Sequence, residues 1–182
     1  MCTEIRGEDQ AQRSAERLSI CYNPSIPPAQ LAAFNLLVLD SAYPEQGVKQ
    51  LRDQGKTVIG YMSLGAVGEN RWWFEALEKA NALRGQNPGF ASQVIKLDKP
   101  VWKKLVIQRI IPEIINRGFN GVFLDDLDLI YQTHQQRAAV ELIAEIRTQF
   151  PELKIMANRG LEYLKDFSKQ VDYVLLESCV TG

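Results

Sequence analysis

Six short, mainly apolar runs separated by segments with helical patterns most constrain what this 182-residue chain can fold into. Short runs that are apolar on both faces are typical of parallel strands buried between two layers of helices. The runs are residues 19–22, 36–39, 58–62, 121–124, 154–157 and 173–176. Each is therefore predicted to be a strand of one parallel sheet.

Helical patterns occupy much of the chain between these runs. Residues 134–150 place Ala139, Ile143 and Ile146 on one stripe, and Pro151 ends the pattern. Residues 101–117 repeat it, with Pro112 expected to kink the helix or split it in two. Shorter helices are predicted over 44–54 and 72–83. Strands that alternate with helices predict a parallel α/β architecture.

A polar residue follows every apolar run, and three of the six are carboxylates. In chain order they are Asn23, Asp40, Ser63, Asp125, Asn158 and Glu177. A buried strand must reach the surface somewhere, which explains part of the pattern. In a closed parallel barrel the strand ends also converge on one face, where such enzymes keep their active sites. In an open doubly wound sheet, ligands would bind at one crevice instead.

Carboxylates that meet at one barrel mouth suit the cleavage of glycosidic bonds. That reaction uses two of them: one protonates the leaving oxygen, and the other attacks the sugar or activates water. Sugar-binding clefts also use flat aromatic faces, although core packing is the alternative for every aromatic residue here. The aromatic residues on or near the strand ends are Tyr22, Tyr61, Trp72, Trp73 and Tyr131.

Charge and hydropathy exclude several classes of partner. The chain has 21 basic and 22 acidic side chains, so a general attraction to nucleic acid or anionic lipid is not expected. No apolar run approaches the roughly 20 residues of a membrane-spanning helix. Residues 1–17 are polar, do not resemble a signal peptide, and are predicted to be an extension before a domain at 18–182. The compartment stays undetermined.

Cysteine and histidine are too sparse for a zinc site. The three cysteines, Cys2, Cys21 and Cys179, are widely spaced, and His134 is the single histidine. A Cys–His nucleophilic pair is a remote alternative to ordinary free thiols. No metal and no cofactor are predicted.

Asp125, Asp126 and Asp128 form the most acidic cluster of the chain. The glycine and the bidentate Glu of a calcium-binding EF-hand loop are missing. A magnesium-dependent phosphoryl-transfer site is a distant alternative, and it is disfavoured because no basic side chain is expected nearby to hold a phosphate. Asp126 and Asp128 are also typical of residues that cap the next turn.

Five segments together resemble glycoside hydrolase family 114, the TIM-barrel domains similar to endo-α-1,4-polygalactosaminidase. They are NLLVLD at 35–40, GYMSLG at 60–65, GFNGVFLD at 118–125, NRG at 158–160 and LES at 176–178. The resemblance spans about residues 18–182. It implies hydrolysis of α-1,4-linked galactosamine polymers, with Asp125 and Glu177 as the catalytic pair. It also implies that Asp40, Ser63 and Asn158 line the pocket; related proteins are often exported.

The chain departs from this family in two respects. Ala66 stands where members often carry a Glu, with Glu69 displaced nearby. Six predicted strands fall short of the eight in a full barrel, so the expected fold is an incomplete (β/α)8 barrel. The missing strands have three alternative explanations: a truncated product, a fragment, or self-association that completes the barrel.

A non-catalytic carbohydrate-binding or interaction module is the competing function.

Four further residues are predicted to bind a polysaccharide or oligosaccharide substrate at the barrel mouth. Tyr22 and Tyr61 would offer aromatic faces. Asp126 and Asp128 would flank the mouth with negative charge, which suits a deacetylated and hence cationic amino-sugar polymer.

Overall fold

The computed structural model describes residues 17–176, and within them a six-stranded parallel sheet forms the centre of the fold. Its order is β1-β2-β3-β7-β8-β9, and all its pairings are parallel. These strands are β1 (Leu18–Cys21), β2 (Leu36–Asp40), β3 (Thr57–Ser63), β7 (Gly121–Asp125), β8 (Lys154–Asn158) and β9 (Tyr173–Leu175). All six predicted strands are confirmed.

Helices connect these strands. They are α1 (Glu45–Asp53), α2 (Phe74–Lys79), α3 (Pro100–Leu105), α4 (Ile111–Asn116), α5 (Leu127–Gln132), α6 (Gln136–Gln149) and α7 (Leu164–Phe167). Short 3-10 turns lie at Pro28–Leu31, Leu161–Tyr163 and Ser168–Gln170. The strand–helix alternation predicted from the sequence is therefore present.

Side chains alternate across the sheet into two apolar layers. Leu37, Val58, Val122 and Ile155 face the helices and belong to the main core. The opposite face carries a smaller cluster of Leu36, Val38, Ile59, Phe123 and Met156. Burial on both faces explains why the strands appear in the sequence as continuous apolar runs.

The strand register brings the polar strand ends to one edge of the sheet. Asp40 pairs with Tyr61 across β2 and β3, and Ser63 pairs with Asp125 across β3 and β7. Leu124 pairs with Ala157, so Asn158 follows at the same level on β8. The positions singled out in the sequence are thus neighbours in space.

The connection between β3 and α3 holds a second sheet that the sequence did not predict. Its antiparallel strands, in the order β4-β6-β5, are β4 (Ala66–Val67), β5 (Leu83–Gln86) and β6 (Gln93–Ile95). The predicted helix over 72–83 was too long, since α2 ends at Lys79. Asn81 adopts a φ of 49°, which turns the chain out of the helix and into β5.

The helix predicted over 101–117 is not split at Pro112; it stays helical throughout and contains a π-helical segment instead. Five π-helical residues, Val106–Ile110, separate α3 from α4 and lie directly before the turn that contains Pro112. Proline has no N–H and its ring crowds the carbonyl four residues earlier, so a widened turn is a natural adjustment.

The close approach of β7 and β8 predicts that Gly121→Ala destabilises the fold strongly. A Cβ at Gly121 would lie 2.2 Å from the backbone oxygen of Lys154. At Gly60 the nearest atom is a side-chain carbon of Ile114, at 2.8 Å. We expect Gly121→Ala to lower the free energy of unfolding by about 3 kcal/mol or more, because backbone cannot move aside as a side chain can. Gly60→Ala is the matched control, and urea unfolding of both variants gives the comparison; equal losses would contradict the prediction.

Candidate active site

The aligned strand ends open into a cleft of about 660 Å³. Seven of the predicted site residues line it: Tyr22, Tyr61, Ser63, Asp125, Asp126, Asp128 and Asn158. Among the predicted strand-end residues, Ser63, Asp125 and Asn158 line the cleft, whereas Asn23 and Asp40 do not. Glu177 lies outside the described residues, so its place opposite Asp125 stays a prediction.

Asp125 ends β7 and receives hydrogen bonds from both neighbouring strands. The Tyr61 hydroxyl on β3 donates to Oδ2 at 2.9 Å. The Asn158 amide on β8 donates to Oδ1 at 2.8 Å, and the backbone N–H of Asp126 donates to the same oxygen at 2.8 Å. In the part of the chain that the structure describes, Asp125 forms no ion pair. Its carboxylate is thus held in one orientation by neutral donors.

Tyr61 is packed so that it remains a proton donor. Burial raises the pKa of its hydroxyl, and the nearby charges of Asp125 and Asp126 raise it further. Its ring contacts Tyr22 edge-on, with ring centres 4.7 Å apart, and stacks on Phe123 at 6.0 Å. The hydroxyl therefore keeps its hydrogen bond to Asp125 throughout the neutral range.

Asp126 is a second carboxyl of the cleft and has an unusual backbone. Its φ of 64° lies in the left-handed region, which non-glycine residues adopt infrequently. This turn directs its side chain to the Ser63 hydroxyl, and Ser63 Oγ in turn accepts the Ala66 N–H at 2.8 Å. Burial raises the pKa of Asp126 from 3.8 to about 6; Asp125 adds to the rise, whereas the Ser63 hydrogen bond opposes it.

Asp128 does not offer a free negative charge to the cleft. Its Oδ2 lies 2.7 Å from Nε of Arg159, and its Oδ1 accepts the Gly160 N–H at 2.9 Å. Arg159 and Gly160 have φ values of 60° and 70°, which form a left-handed turn directly after Asn158. Because Asp128 binds both residues, it stabilises this turn. The expectation that no basic side chain lies near the acidic cluster was wrong, because this turn folds Arg159 back onto it.

Asp40 is also ion-paired. Arg71 binds it through both terminal nitrogens, at 3.1 and 2.8 Å, and the Ala42 N–H donates to the same carboxylate. Arg71 lines the cleft, with its guanidinium 5.9 Å from the ring centre of Tyr61 and 5.8 Å from that of Trp73. Asp40 itself is not among the cleft-lining residues, so its contribution is to hold Arg71.

The other aromatic candidates divide between cleft and exterior. Trp73 lines the cleft but is almost fully buried, as in the core-packing interpretation. Trp72 and Tyr131 are exposed outside the cleft lining. Phe90, in the β5–β6 loop, lines the cleft and was not predicted, because nothing in its local sequence marks a strand end.

The described part of the chain offers little to a metal ion. Between residues 17 and 176, His, Cys, Asp and Glu side chains form no group of three that would hold one. Cys21 is a free thiol, whereas Cys2 and Cys179 lie outside the described residues. No helix in this range is long and apolar enough to cross a membrane.

The sequence and the fold are similar to proteins of one family. Residues 6–182 match the family model described as glycoside-hydrolase family GH114. An uncharacterized protein of Methanocaldococcus jannaschii is 29% identical over 118 residues, which is 58% of this chain and 34% of that protein. The chain therefore spans about a third of this curated relative.

Several solved structures are also similar to this chain. The glycoside hydrolase domain of PelA from Pseudomonas aeruginosa is 30% identical, with a TM-score of 0.75 over 86% of this chain and 65% of that one. Aspergillus fumigatus Ega3, solved in complex with galactosamine, reaches a TM-score of 0.75 at 13% identity over 87% and 65% of the two chains. An α-amylase of Geobacillus thermoleovorans matches at 0.59 and 14% identity over 81% and 44%. The latter two likenesses concern the fold alone, and together the matches confirm the (β/α) barrel type, of which residues 17–176 form six parallel strands.

The raised pKa of Asp126 predicts a specific pH dependence of stability. The folded protein holds this proton more tightly than the unfolded chain, so the stabilisation is complete below pH ~4 and is lost as pH rises through about 6. Asp126→Asn keeps a side chain that tolerates the left-handed turn but cannot titrate. We expect the stability of this variant relative to the native protein to rise by about 2–3 kcal/mol between pH ~4 and pH ~8. Thermal and urea unfolding across this range measure it, and a pH-independent difference would rule out the assigned shift.

Proposed function

The chain belongs to glycoside-hydrolase family GH114, and from this membership we propose that it hydrolyses glycosidic bonds in an amino-sugar polysaccharide. Similarity to the PelA glycoside hydrolase domain supports the reaction class. The galactosamine bound to Ega3, a protein that shares this fold, supports the choice of an α-1,4-galactosaminan-like polymer for testing. The competing proposal is a non-catalytic carbohydrate-binding module on the same scaffold.

The observation that carries the proposal is the environment of Asp125. Three neutral donors orient its carboxylate at the strand-end cleft. Among residues 17–176 this carboxylate forms no ion pair. The neighbouring Asp40 and Asp128 are both neutralised by arginines. A structural aspartate would be expected to have such a cation, whereas a catalytic one needs an accessible and charged oxygen.

The hydrogen bonds suggest which oxygen of Asp125 reacts. Oδ1 accepts two hydrogen bonds and Oδ2 accepts one, so Oδ2 keeps more accepting capacity. We assign Oδ2 as the atom that attacks the anomeric carbon or takes a proton from water. The Tyr61 hydroxyl would steady this oxygen while its charge changes.

Glu177 is proposed as the partner of Asp125. It lies two residues after the end of β9 in the sequence, and β9 pairs with β8 so that Leu175 lies level with Asn158. In this assignment Glu177 protonates the leaving oxygen while Asp125 acts as nucleophile or base. A carboxyl separation of about 5 Å would favour retention of anomeric configuration, and roughly 6.5–9.5 Å would favour inversion.

The cleft charge fits a polymer that carries some amino groups better than one that is fully cationic. Asp125 and Asp126 bring two carboxyl groups to the cleft, but Arg71 and Arg159 also line it. The acidic mouth expected from Asp126 and Asp128 is therefore only partly present. Partly N-acetylated substrates should be assayed beside the deacetylated polymer.

Replacing either proposed catalytic carboxylate should abolish cleavage without unfolding the protein. We expect Asp125→Asn and Glu177→Gln each to reduce kcat by about 10³-fold or more, because each removes a group that acts in the transition state. Asp53→Asn, at an exposed carboxylate on α1, is the matched control. New reducing ends from galactosaminan measure the rate. Binding without cleavage, unchanged in Asp125→Asn, would instead support the carbohydrate-binding module.

We also propose self-association through the open edges of the sheet. Among residues 17–176 the parallel sheet ends at β1 on one side and β9 on the other. Unpaired edge N–H and C=O groups favour pairing with another strand. A second copy of the chain would provide one.

Sedimentation equilibrium provides the test of self-association. A mass of twice 20.6 kDa or more at micromolar concentration is the expected result. Ile20→Pro, which removes an N–H from edge strand β1, should shift the equilibrium to monomer. A monomer at all concentrations would refute this part of the proposal but leave the catalytic assignment standing.

A further inference from the structure

Phe90 is the most exposed large apolar side chain of the described residues, at 71%. It is also part of the cleft lining, in the β5–β6 loop that the inserted antiparallel sheet presents. A largely exposed Phe forgoes most of the stabilisation that full burial would provide. Its position at the cleft therefore invites a functional explanation.

Phe90 ends a hydrogen-bonded turn of the loop. Asn87, Pro88, Gly89 and Phe90 have the form of a type II turn: Pro precedes a glycine with a φ of 80°, and the Phe90 N–H donates to Asn87 O at 3.2 Å. Asn87, which is 7% exposed, also binds Ser92 through its backbone N–H at 2.8 Å and its side-chain amide at 3.1 Å. These bonds fasten the base of the loop and fix the backbone position from which the Phe90 side chain projects.

The surroundings of Phe90 suit a sugar ring. Asn70 and Ser92 line the same cleft and provide an amide and a hydroxyl group, and the half-exposed Tyr22 is a second aromatic residue of the lining. A pyranose has one face of C–H groups that stacks on an aromatic ring, with hydroxyls at its edge for hydrogen bonding. An amino-sugar ammonium group is additionally attracted by the face of the ring.

We propose that Phe90 forms an aromatic subsite that binds a sugar ring of an extended amino-sugar chain, away from the bond that is cleaved. The proposal rests on the proposed function and specifies its substrate as a polymer rather than a short glycoside. Asp125 acts on the bond, and Phe90 holds a neighbouring unit of the chain. Its contribution consequently depends on the length of the ligand.

Oligosaccharide binding of increasing length tests this subsite. Galactosamine oligosaccharides, free and N-acetylated, are titrated by calorimetry from the disaccharide upward into the native protein, Phe90→Ala and Phe90→Trp. For the longer ligands we expect Phe90→Ala to bind about tenfold more weakly, which corresponds to about 1.4 kcal/mol. The disaccharide should bind all three proteins equally, and Phe90→Trp should restore the affinity for long ligands.

Ile115→Ala, at a partly exposed apolar residue of α4 outside the cleft lining, is the matched control and should change nothing. Equal affinity of Phe90→Ala and the native protein at every length would overturn the subsite. So would a loss that Phe90→Trp shares and that accompanies a lower melting temperature, or a native protein that binds neither series. Cleavage is measured separately, so length-dependent binding without hydrolysis would refute the proposed reaction and still support the Phe90 subsite.

Discussion

The hydrogen-bonded row across β3, β7 and β8 is the interaction on which the site depends. Tyr61, Asp125 and Asn158 come from three adjacent strands; the parallel register puts Asp125 level with Asn158, and Tyr61 reaches Asp125 from two residues before the end of β3. A register slip of one residue would turn Asp125 toward the helices and bury its charge in the apolar core. The core on both faces of the sheet therefore fixes the site geometry as well as the fold.

Neutralised and free carboxylates are distributed with a clear pattern. Asp40 and Asp128 are bound by Arg71 and Arg159, and each pair holds a loop at the rim of the cleft. Asp125 accepts hydrogen bonds from neutral donors instead. Burial raises the pKa of the Asp126 carboxyl group. The arginines thus hold the loops at the rim, whereas Asp125 and Asp126 lie nearest the proposed chemistry and have no arginine partner among residues 17–176.

The parallel sheet and most of the cleft could be predicted from the sequence because both follow from local patterns. Continuous apolar runs mark buried parallel strands, and the residue after each run marks the edge where they meet. The inserted antiparallel sheet could not be predicted, since its short strands lack an alternating pattern and depend on the turn at Asn81. The same holds for Arg71, Arg159 and Phe90, whose roles depend on loop conformations that bring distant segments together. Pairing of Asp128 with Arg159 depends on a left-handed turn; Gly160 is typical of such a turn, but Arg159, whose φ of 60° directs the side chain, is not.

The central claim is that Asp125 acts on the anomeric carbon of an amino sugar, with Glu177 opposite it. A crystal structure of the protein with a bound galactosamine oligosaccharide tests this most directly. The account predicts Asp125 Oδ2 about 3–3.5 Å from an anomeric carbon, with the Glu177 carboxyl on the other side of the glycosidic oxygen. A sugar bound away from Asp125, or a Glu177 turned out of the cleft, would contradict it.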